Sequence, residues 1–457
     1  MQNNIIYFKK FYRNSDLKIN KYFSLPQFKE QIIEAKKHGK DVFYNQVRIL
    51  NNCYYARKLQ GDISIKDIFK VYWNDFKDKF KHRLTRPHLI ESIETMIGCH
   101  DFDNGFLYYE CPNCNNFYMV GFSCHSRFCP SCGQKYKKQR NEKNSSKLLH
   151  VPHRQFVFTI PKQLRTYFQK YHGLLNILFD SVNESLNLFL KSRSLKLFNN
   201  EKRKLGFIAF LHTFGRDLKW HPHIHLLLAE RYINKDGKLC KFDFYCFNYI
   251  RKSFQYCLLN NVYNFFKNII KDRELTHEIY LLNKSLLGFY KDGFYVYGPK
   301  FNNFNTTTSN MKTLINYITR YASHPPISKR RIISTNDDNH TITWFYDPHK
   351  DDDVKDEELK LGKQIITEDI FSFMSKLIIH IPDKKFQIIR YYGFYANRFI
   401  NKLENNLLFS STELKKMRDN TLWINGLLSS FGYDPTLCVC GNQMLVNYQL
   451  SSFKGVP

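Results

Sequence analysis

The tightest constraint on this chain is a pair of apolar runs, residues 205–214 and 221–228, separated by the polar break Gly215-Arg216-Asp217. Two runs of strand length around a break containing Gly and Asp read as a β-hairpin. Side chains two apart on a strand share a face. In His221-Pro222-His223-Ile224-His225 the imidazoles of His223 and His225 therefore stand side by side, while Ile224 turns into the core. Neutral imidazole is the commonest side-chain metal ligand, and the pair reads as a bidentate clamp for a divalent metal. A third ligand is needed. His212, on the preceding strand, and His221, just before the clamp, are both candidates, and the sequence does not choose between them.

Further along, Met311, Leu314, Ile315, Ile318 and Ala322 fall at 3/4/7 spacing, which predicts an amphipathic helix over 310–322. Pro325-Pro326 end it. Tyr317 and Tyr321 are one turn apart on the edge of the apolar stripe, with Arg320 on the opposite face. A phenolate is a nucleophile for phosphoryl transfer, and a metal that polarises the scissile phosphate is its natural partner.

Of the twelve cysteines, five are packed between 111 and 132. In a reducing compartment such clustering means metal rather than disulfides. Cys111-x-x-Cys114 and Cys129-x-x-Cys132, with fourteen residues between them, suit one closed tetrahedral Zn2+ site. Cys124 and His125 are surplus and Cys99-His100 lies upstream, so Cys124 as an exchanged ligand, or a second zinc, stays open. Cys438-Val439-Cys440 has no evident further pair and is a weak metal signal. The basic stretch 135–147, with Lys137 and Lys138, follows the cysteines as a DNA-docking helix would. The whole chain holds 69 Lys+Arg against 41 Asp+Glu, a net charge of +28, which calls for a polyanionic partner, nucleic acid ahead of a membrane surface. Its first ten residues lack a signal-peptide core and no apolar run reaches spanning length, which predicts a soluble, intracellular protein.

In order along the chain stand Cys111-Pro112-Asn113-Cys114, the cysteine-rich 123–132, Phe156-Val157-Phe158-Thr159-Ile160-Pro161, Leu211-His212-Thr213-Phe214 and the histidine run 221–225. After them come Tyr317-Ile318-Thr319-Arg320-Tyr321, Ile327-Ser328-Lys329-Arg330-Arg331-Ile332 and Ile389-Arg390-Tyr391-Tyr392-Gly393-Phe394. Together they resemble the HUH-type, two-tyrosine rolling-circle transposases of the insertion-sequence 91 family, over about residues 60–400. Phe128 stands where that family usually has His, and His324-Pro325-Pro326 is an unusual exit from the tyrosine helix. The resemblance implies an α+β fold with an RRM-like, antiparallel-sheet HUH endonuclease core and a zinc-binding module. It implies cleavage and rejoining of single-stranded DNA at an element's ends through a 5′-phosphotyrosine formed by Tyr317 or Tyr321. His223 and His225, with His212 or His221, would hold Mg2+ or Mn2+, and Cys111, Cys114, Cys129 and Cys132 would hold structural Zn2+. Arg330, Arg331, Arg390, Lys137 and Lys138 are the candidate DNA contacts. The partners are single-stranded DNA, element-end hairpins and target DNA, met at the nucleoid in a bacterial cytoplasm, with no membrane. A replication-initiator nickase would share this chemistry, and a zinc-finger DNA-binding regulator would use the same residues only structurally.

Pattern divides the chain into a helical 1–90, a zinc-binding 91–149, a catalytic 150–335 and a C-terminal extension, 336–457. Within these, helical stripes are expected at 67–82, 163–192 and 242–266, a strand at 154–160, and hairpins at 289–296 and 341–346. An acidic tip occupies 347–358, and aromatics interleave with Arg390 and Arg398 in a stretch suited to single-strand stacking.

Overall fold

A computed structural model describes residues 25–58, 63–197, 204–234, 236–241, 245–298, 325–348, 362–400, 403, 406–431 and 434–453. Among the described residues, helices α1 (Pro26–Lys37) and α2 (Lys40–Lys58) come first and bury Phe28, Ile32, Phe43 and Val47. The Ser64 hydroxyl and the Asp67 carboxylate form a capping box that starts α3 (Ile65–Lys79). Its buried Ile68, Phe69, Tyr72 and Phe76 are the stripe expected at 67–82. After α4 (Pro87–Ile97), β1 (Phe106–Glu110) and β2 (Phe117–Gly121) make a short antiparallel hairpin on which α1 and α2 pack. The basic helix α5 (Pro130–Ser145) follows.

The large sheet opens with β3 (His153–Thr159). The helix expected over 163–192 is broken: α6 (Arg165–Lys170) stops before Tyr171-His172-Gly173, and α7 (Leu174–Leu197) begins afresh. At Gly173 a Cβ would stand 2.9 Å from the Phe265 ring, so any side chain there would have to displace that ring. The central hairpin is β4 (Lys204–Phe214) and β5 (Trp220–Ile233), with β6 (Leu239–Lys241) returning along β5. Helices α8 (Phe247–Phe265) and α9 (Arg273–Phe289) come next. The hairpin expected at 289–296 does not form. Ile279 and Leu286, two turns apart and buried, keep the chain helical to Phe289, and only β7 (Val296–Tyr297) is extended, pairing with β3. A second sheet comprises β8 (Ile332–Asn336), β9 (Thr341–Tyr346) and β10 (Gln364–Asp369), and the acidic 349–358 lies outside the described residues. The chain continues with α10 (Ile370–Ile378), β11 (Ile389–Gly393), α11 (Asn397–Ile400), α12 (Ser411–Asn420), α13 (Trp423–Phe431) and β12 (Leu445–Val446).

Every strand pairing among the described residues is antiparallel, and the architecture is mixed helix and antiparallel sheet. The large sheet has the order β11-β4-β5-β3-β7. Phe158 and Ile224 pair on one face, and Phe158 meets Phe254 of α8 edge-on at 5.1 Å, so that face lies under the helices. The opposite face carries the histidines. Both faces of β4 and β5 are buried, and each fully buried Leu or Phe contributes ~1.5–3 kcal/mol. A one-residue slip would exchange Ile224 for the histidines, so the register is firmly held.

The expected extension, 336–457, is not a separate piece. β10 and α10 join α3 and α4 in a second core, β11 completes the large sheet beside β4, and β12 adds an edge to β1. Gly393 permits the join, because at φ +59 its Cα passes so close to the Leu205 carbonyl that a Cβ would overlap it. No helix among the described residues is long and apolar enough to cross a membrane.

Candidate metal centres

The β4–β5 register sets His212 directly opposite His223, and His225 follows two residues on, on the same face. One ring nitrogen from each of the three lies within 4.8 Å of the others. Ring centroids are 4.2 Å apart for His212–His225, 5.2 Å for His212–His223 and 5.0 Å for His223–His225. All three are buried. Burial, with His223 alongside, holds the His225 ring well below the usual histidine range, so its lone pair is available to a metal. The Nδ1–H of His223 donates to the His221 carbonyl oxygen at 2.7 Å, which leaves Nε2 as the ligand atom. The Gln155 side-chain amide nitrogen lies 3.1 Å from Nδ1 of His225. Three buried imidazoles on one face fit a divalent cation and leave it open positions.

His221 stands outside this cluster. Its ring is 5.1 Å from that of His223, burial and the neighbouring His223 push it down to about 2, and its Nε2 has no hydrogen-bond partner among the described residues. Of the two candidates for a third ligand, His212 is the one brought to the clamp.

Tyr317 and Tyr321 lie outside the described residues. The chain leaves toward them from Tyr297, which pairs with Val157, itself paired with His225. It re-enters at Pro325, and Pro326 lines a small cavity with Leu211, Thr213 and Phe214 of β4. Arg127 lines that cavity too, and burial together with the Arg140 charge pushes its guanidinium down to about 9. Its place in the cysteine segment of the sequence did not mark it as a neighbour of the histidine strand.

The single zinc expected on Cys111, Cys114, Cys129 and Cys132 is corrected. The two pairs sit in different clusters, Cys99-Cys124-Cys129-Cys132 and Cys111-Cys114-Cys438-Cys440. The cause is the β1–β2 hairpin: Cys111 and Cys114 are at its turn, whereas Cys99 and Cys124 flank its open end. Five residues of strand at ~3.3 Å each put roughly 16 Å between the two ends, too far for one ion. Cys124 is thereby a full member of one cluster. Sulfur–sulfur separations are 3.5 Å for Cys99–Cys132 and 3.6 Å for Cys124–Cys132. In the other cluster they are 3.5 Å for Cys111–Cys440 and for Cys114–Cys438. A tetrahedral Zn2+ with ~2.3 Å bonds has an S–S edge of ~3.8 Å, whereas a disulfide needs ~2.05 Å. Cys99, Cys438 and Cys440 are the cluster members that local spacing missed; the Cys438-Val439-Cys440 pair was the visible signal. Phe128, at the position where a histidine was expected, is core, edge-on to Phe69 at 5.9 Å. His125 bonds the Tyr136 hydroxyl.

The candidate DNA contacts divide. Lys137 and Lys138 are on α5, and Arg330 is exposed in the turn before β8. Arg331 is instead built into the second sheet, its Nε donating to the Phe345 carbonyl at 2.8 Å and its guanidinium lying over Trp344. Arg390 pairs with Ala209, on the face opposite the histidines, and is stacked 4.1 Å over the Phe179 ring. It serves packing there.

Residues 68–160 match the family described as "Transposase zinc-binding domain", and residues 206–402 match the family described as "Putative transposase". The chain is 25% identical over 369 residues to the transposase for insertion sequence element IS801 of Pseudomonas savastanoi pv. phaseolicola, covering 79% of this chain and 84% of that one. It is 23% identical over 346 residues to "Putative transposase y4qJ" of Sinorhizobium fredii (strain NBRC 101917 / NGR234), covering 73% and 81%. No solved structure matches at a significant level. A zinc-binding domain followed by a transposase domain, with relatives aligned along most of both chains, makes this protein a transposase of the insertion-sequence 91 family.

Proposed function

We propose that this transposase nicks and rejoins single-stranded DNA at the ends of its element through a 5′-phosphotyrosine, moving DNA by a rolling-circle route. The observation that carries the reading is the buried His212-His223-His225 cluster on one face of an antiparallel sheet. That sheet, with helices on its other face, is read as the RRM-like core of an HUH endonuclease. Mg2+ or Mn2+ held by the three imidazoles would neutralise charge on the non-bridging oxygens of the scissile phosphate. The phenol oxygen of Tyr317 or Tyr321 attacks phosphorus, the bond to the 3′ oxygen breaks, and the phenol proton ends on the released 3′-OH. Because the phosphotyrosine retains the phosphodiester's energy, a 3′-OH or the second tyrosine's product can complete the exchange without ATP.

Along the outer helices, Tyr263, Lys267, Lys271, Arg273, His277 and Tyr280 line a cleft of about 590 Å3 whose cations and rings suit a DNA strand. Zn2+ in the cysteine clusters is structural, because four thiolates leave no open position.

The test is a 5′- and 3′-labelled single-stranded oligonucleotide from an element end, incubated with Mn2+ and run on a denaturing gel. A protein–DNA adduct on the 5′ end is expected, absent in the Tyr317→Phe/Tyr321→Phe double variant. Cleavage without an adduct, or an adduct that survives both changes, refutes the tyrosine assignment.

A further inference from the structure

We propose that Cys111, Cys114, Cys438 and Cys440 hold a second structural zinc that makes residues 434–453 part of the zinc-binding module. The matched zinc-binding domain covers 68–160 and so contains two of these four ligands. The other two arrive from 324 residues further along the chain. Their sulfurs are spaced at 3.5–3.6 Å, the edge of a thiolate tetrahedron rather than a pair of bridges.

Both halves are shaped as metal-binding turns. Asn115 (φ 51) follows Cys114 and Gly441 (φ 86) follows Cys440, each in the left-handed conformation that curls a backbone around an ion. Asn116 Nδ2 donates to Cys438 Sγ at 3.6 Å and Asn442 Nδ2 to Cys440 Sγ at 3.4 Å, as donors to a thiolate do. The Cys438 amide donates to the Asn442 carbonyl, closing the second turn.

What else holds this segment is hydrogen bonding more than apolar burial: Phe106 and Ser452 exchange backbone bonds, the Asn447 amide donates to the Tyr108 carbonyl, and the Tyr44 hydroxyl donates to the Ser451 carbonyl. β12 is two residues long, and the local apolar cluster has Tyr109, Val120 and Met444 as its buried members besides the ligands Cys111 and Cys438. A core of that size does not order a segment alone, and small modules of this kind are held by metal. The zinc thus ties 434–453 to the β1–β2 turn, and the large sheet lies in the loop so closed.

The test counts metal in the full chain carrying His223→Ala and His225→Ala, so that the histidine cluster adds none. Two zinc ions per chain are expected, falling to one when Cys438→Ser and Cys440→Ser are added. One zinc before the serine changes, or two after them, overturns the proposal. If the serine variant does not fold, chelator challenge of the parent decides. Cys114 and Cys440 are exposed whereas Cys99, Cys129 and Cys132 are buried. One zinc should therefore leave first, and its loss should open 434–453 to protease while α3 and α4 stay protected. Release of both ions together, or release of one with 434–453 still protected, would refute it. The count does not depend on the nicking chemistry, so either proposal can fail without the other.

Discussion

The histidine cluster and the cysteine clusters are both groups that could hold a metal ion, yet they are built in opposite ways. His212, His223 and His225 come from two adjacent strands of one hairpin, and the ladder alone sets them on one face. Each cysteine cluster is gathered from pieces that local structure would leave apart: a helix end, a hairpin turn, a helix start, a distant loop. The first site exists because the sheet exists; in the proposed reading the others hold the fold together. Three imidazoles leave room for a phosphate, and four thiolates do not. Damage to the first should stop chemistry and spare structure, and damage to the others should do the reverse.

The largest effect that could break this contrast is on cleavage. His225→Ala should reduce adduct formation at least ~10^2-fold, as loss of a charge-stabilising group does. Its zinc content on the cysteines and its thermal midpoint should stay close to wild type. If the midpoint collapses with the activity, the cluster is structural and the contrast fails.

Next come the two cysteine clusters themselves. Cys129 is fully buried within the second core, among residues of α3, α4 and α10, whereas Cys440 is exposed. Cys129→Ser should cost several kcal/mol and leave little soluble protein, since structural zinc contributes folding energy outright. Cys440→Ser should leave a folded large sheet with a shifted, smaller unfolding transition. Urea titration of both, followed by tryptophan fluorescence and by the adduct assay, separates them; equal loss would mean that the sites are equivalent.

A buried histidine that holds no metal sharpens the comparison. His380 has both ring nitrogens occupied, Nδ1 by the Thr213 hydroxyl at 3.2 Å and Nε2 by the Leu218 carbonyl at 3.0 Å. Burial pushes it down to about 4, as it does His153. Unfolded, each would titrate near ~6.5, so below that pH the unfolded chain binds more protons than the folded one. Stability is then full above ~6.5 and declines as pH falls toward 4, by up to ~3 kcal/mol per group. Denaturation midpoints at pH 7, 6, 5 and 4.5 should fall, and His380→Gln, which keeps hydrogen-bonding capacity without the proton, should flatten the slope. An unchanged slope would remove His380 from the account.

The smallest effects separate neighbouring arginines. Arg331→Ala should lower stability by ~1–2 kcal/mol through its lost bond to the Phe345 carbonyl and its contact with Trp344. Arg330→Ala should leave stability alone and weaken single-stranded DNA binding a few-fold at low salt. Reversed results would exchange their roles.

Local physics made much of this protein legible in one dimension. The period of two placed His223 and His225 together, the 3/4/7 stripe placed α3, and the paired Cys-x-x-Cys spacing announced structural metal. These follow from geometry within ten or so residues. The third histidine, the true partners of each cysteine pair and the fate of Arg390 did not. His212 joined the cluster through strand register, which pairs it with His223 across the hairpin. Cys111 and Cys114 found Cys438 and Cys440 because β1 is long enough to keep them from Cys129 and Cys132. Arg390 faces Phe179 because β11 pairs with β4 in the register that sets it against Ala209. Side-chain periodicity is a property of the backbone and can be read along it. Which strand lies beside which, and at what offset, is decided by burial of the whole core, and only the tertiary structure supplies it.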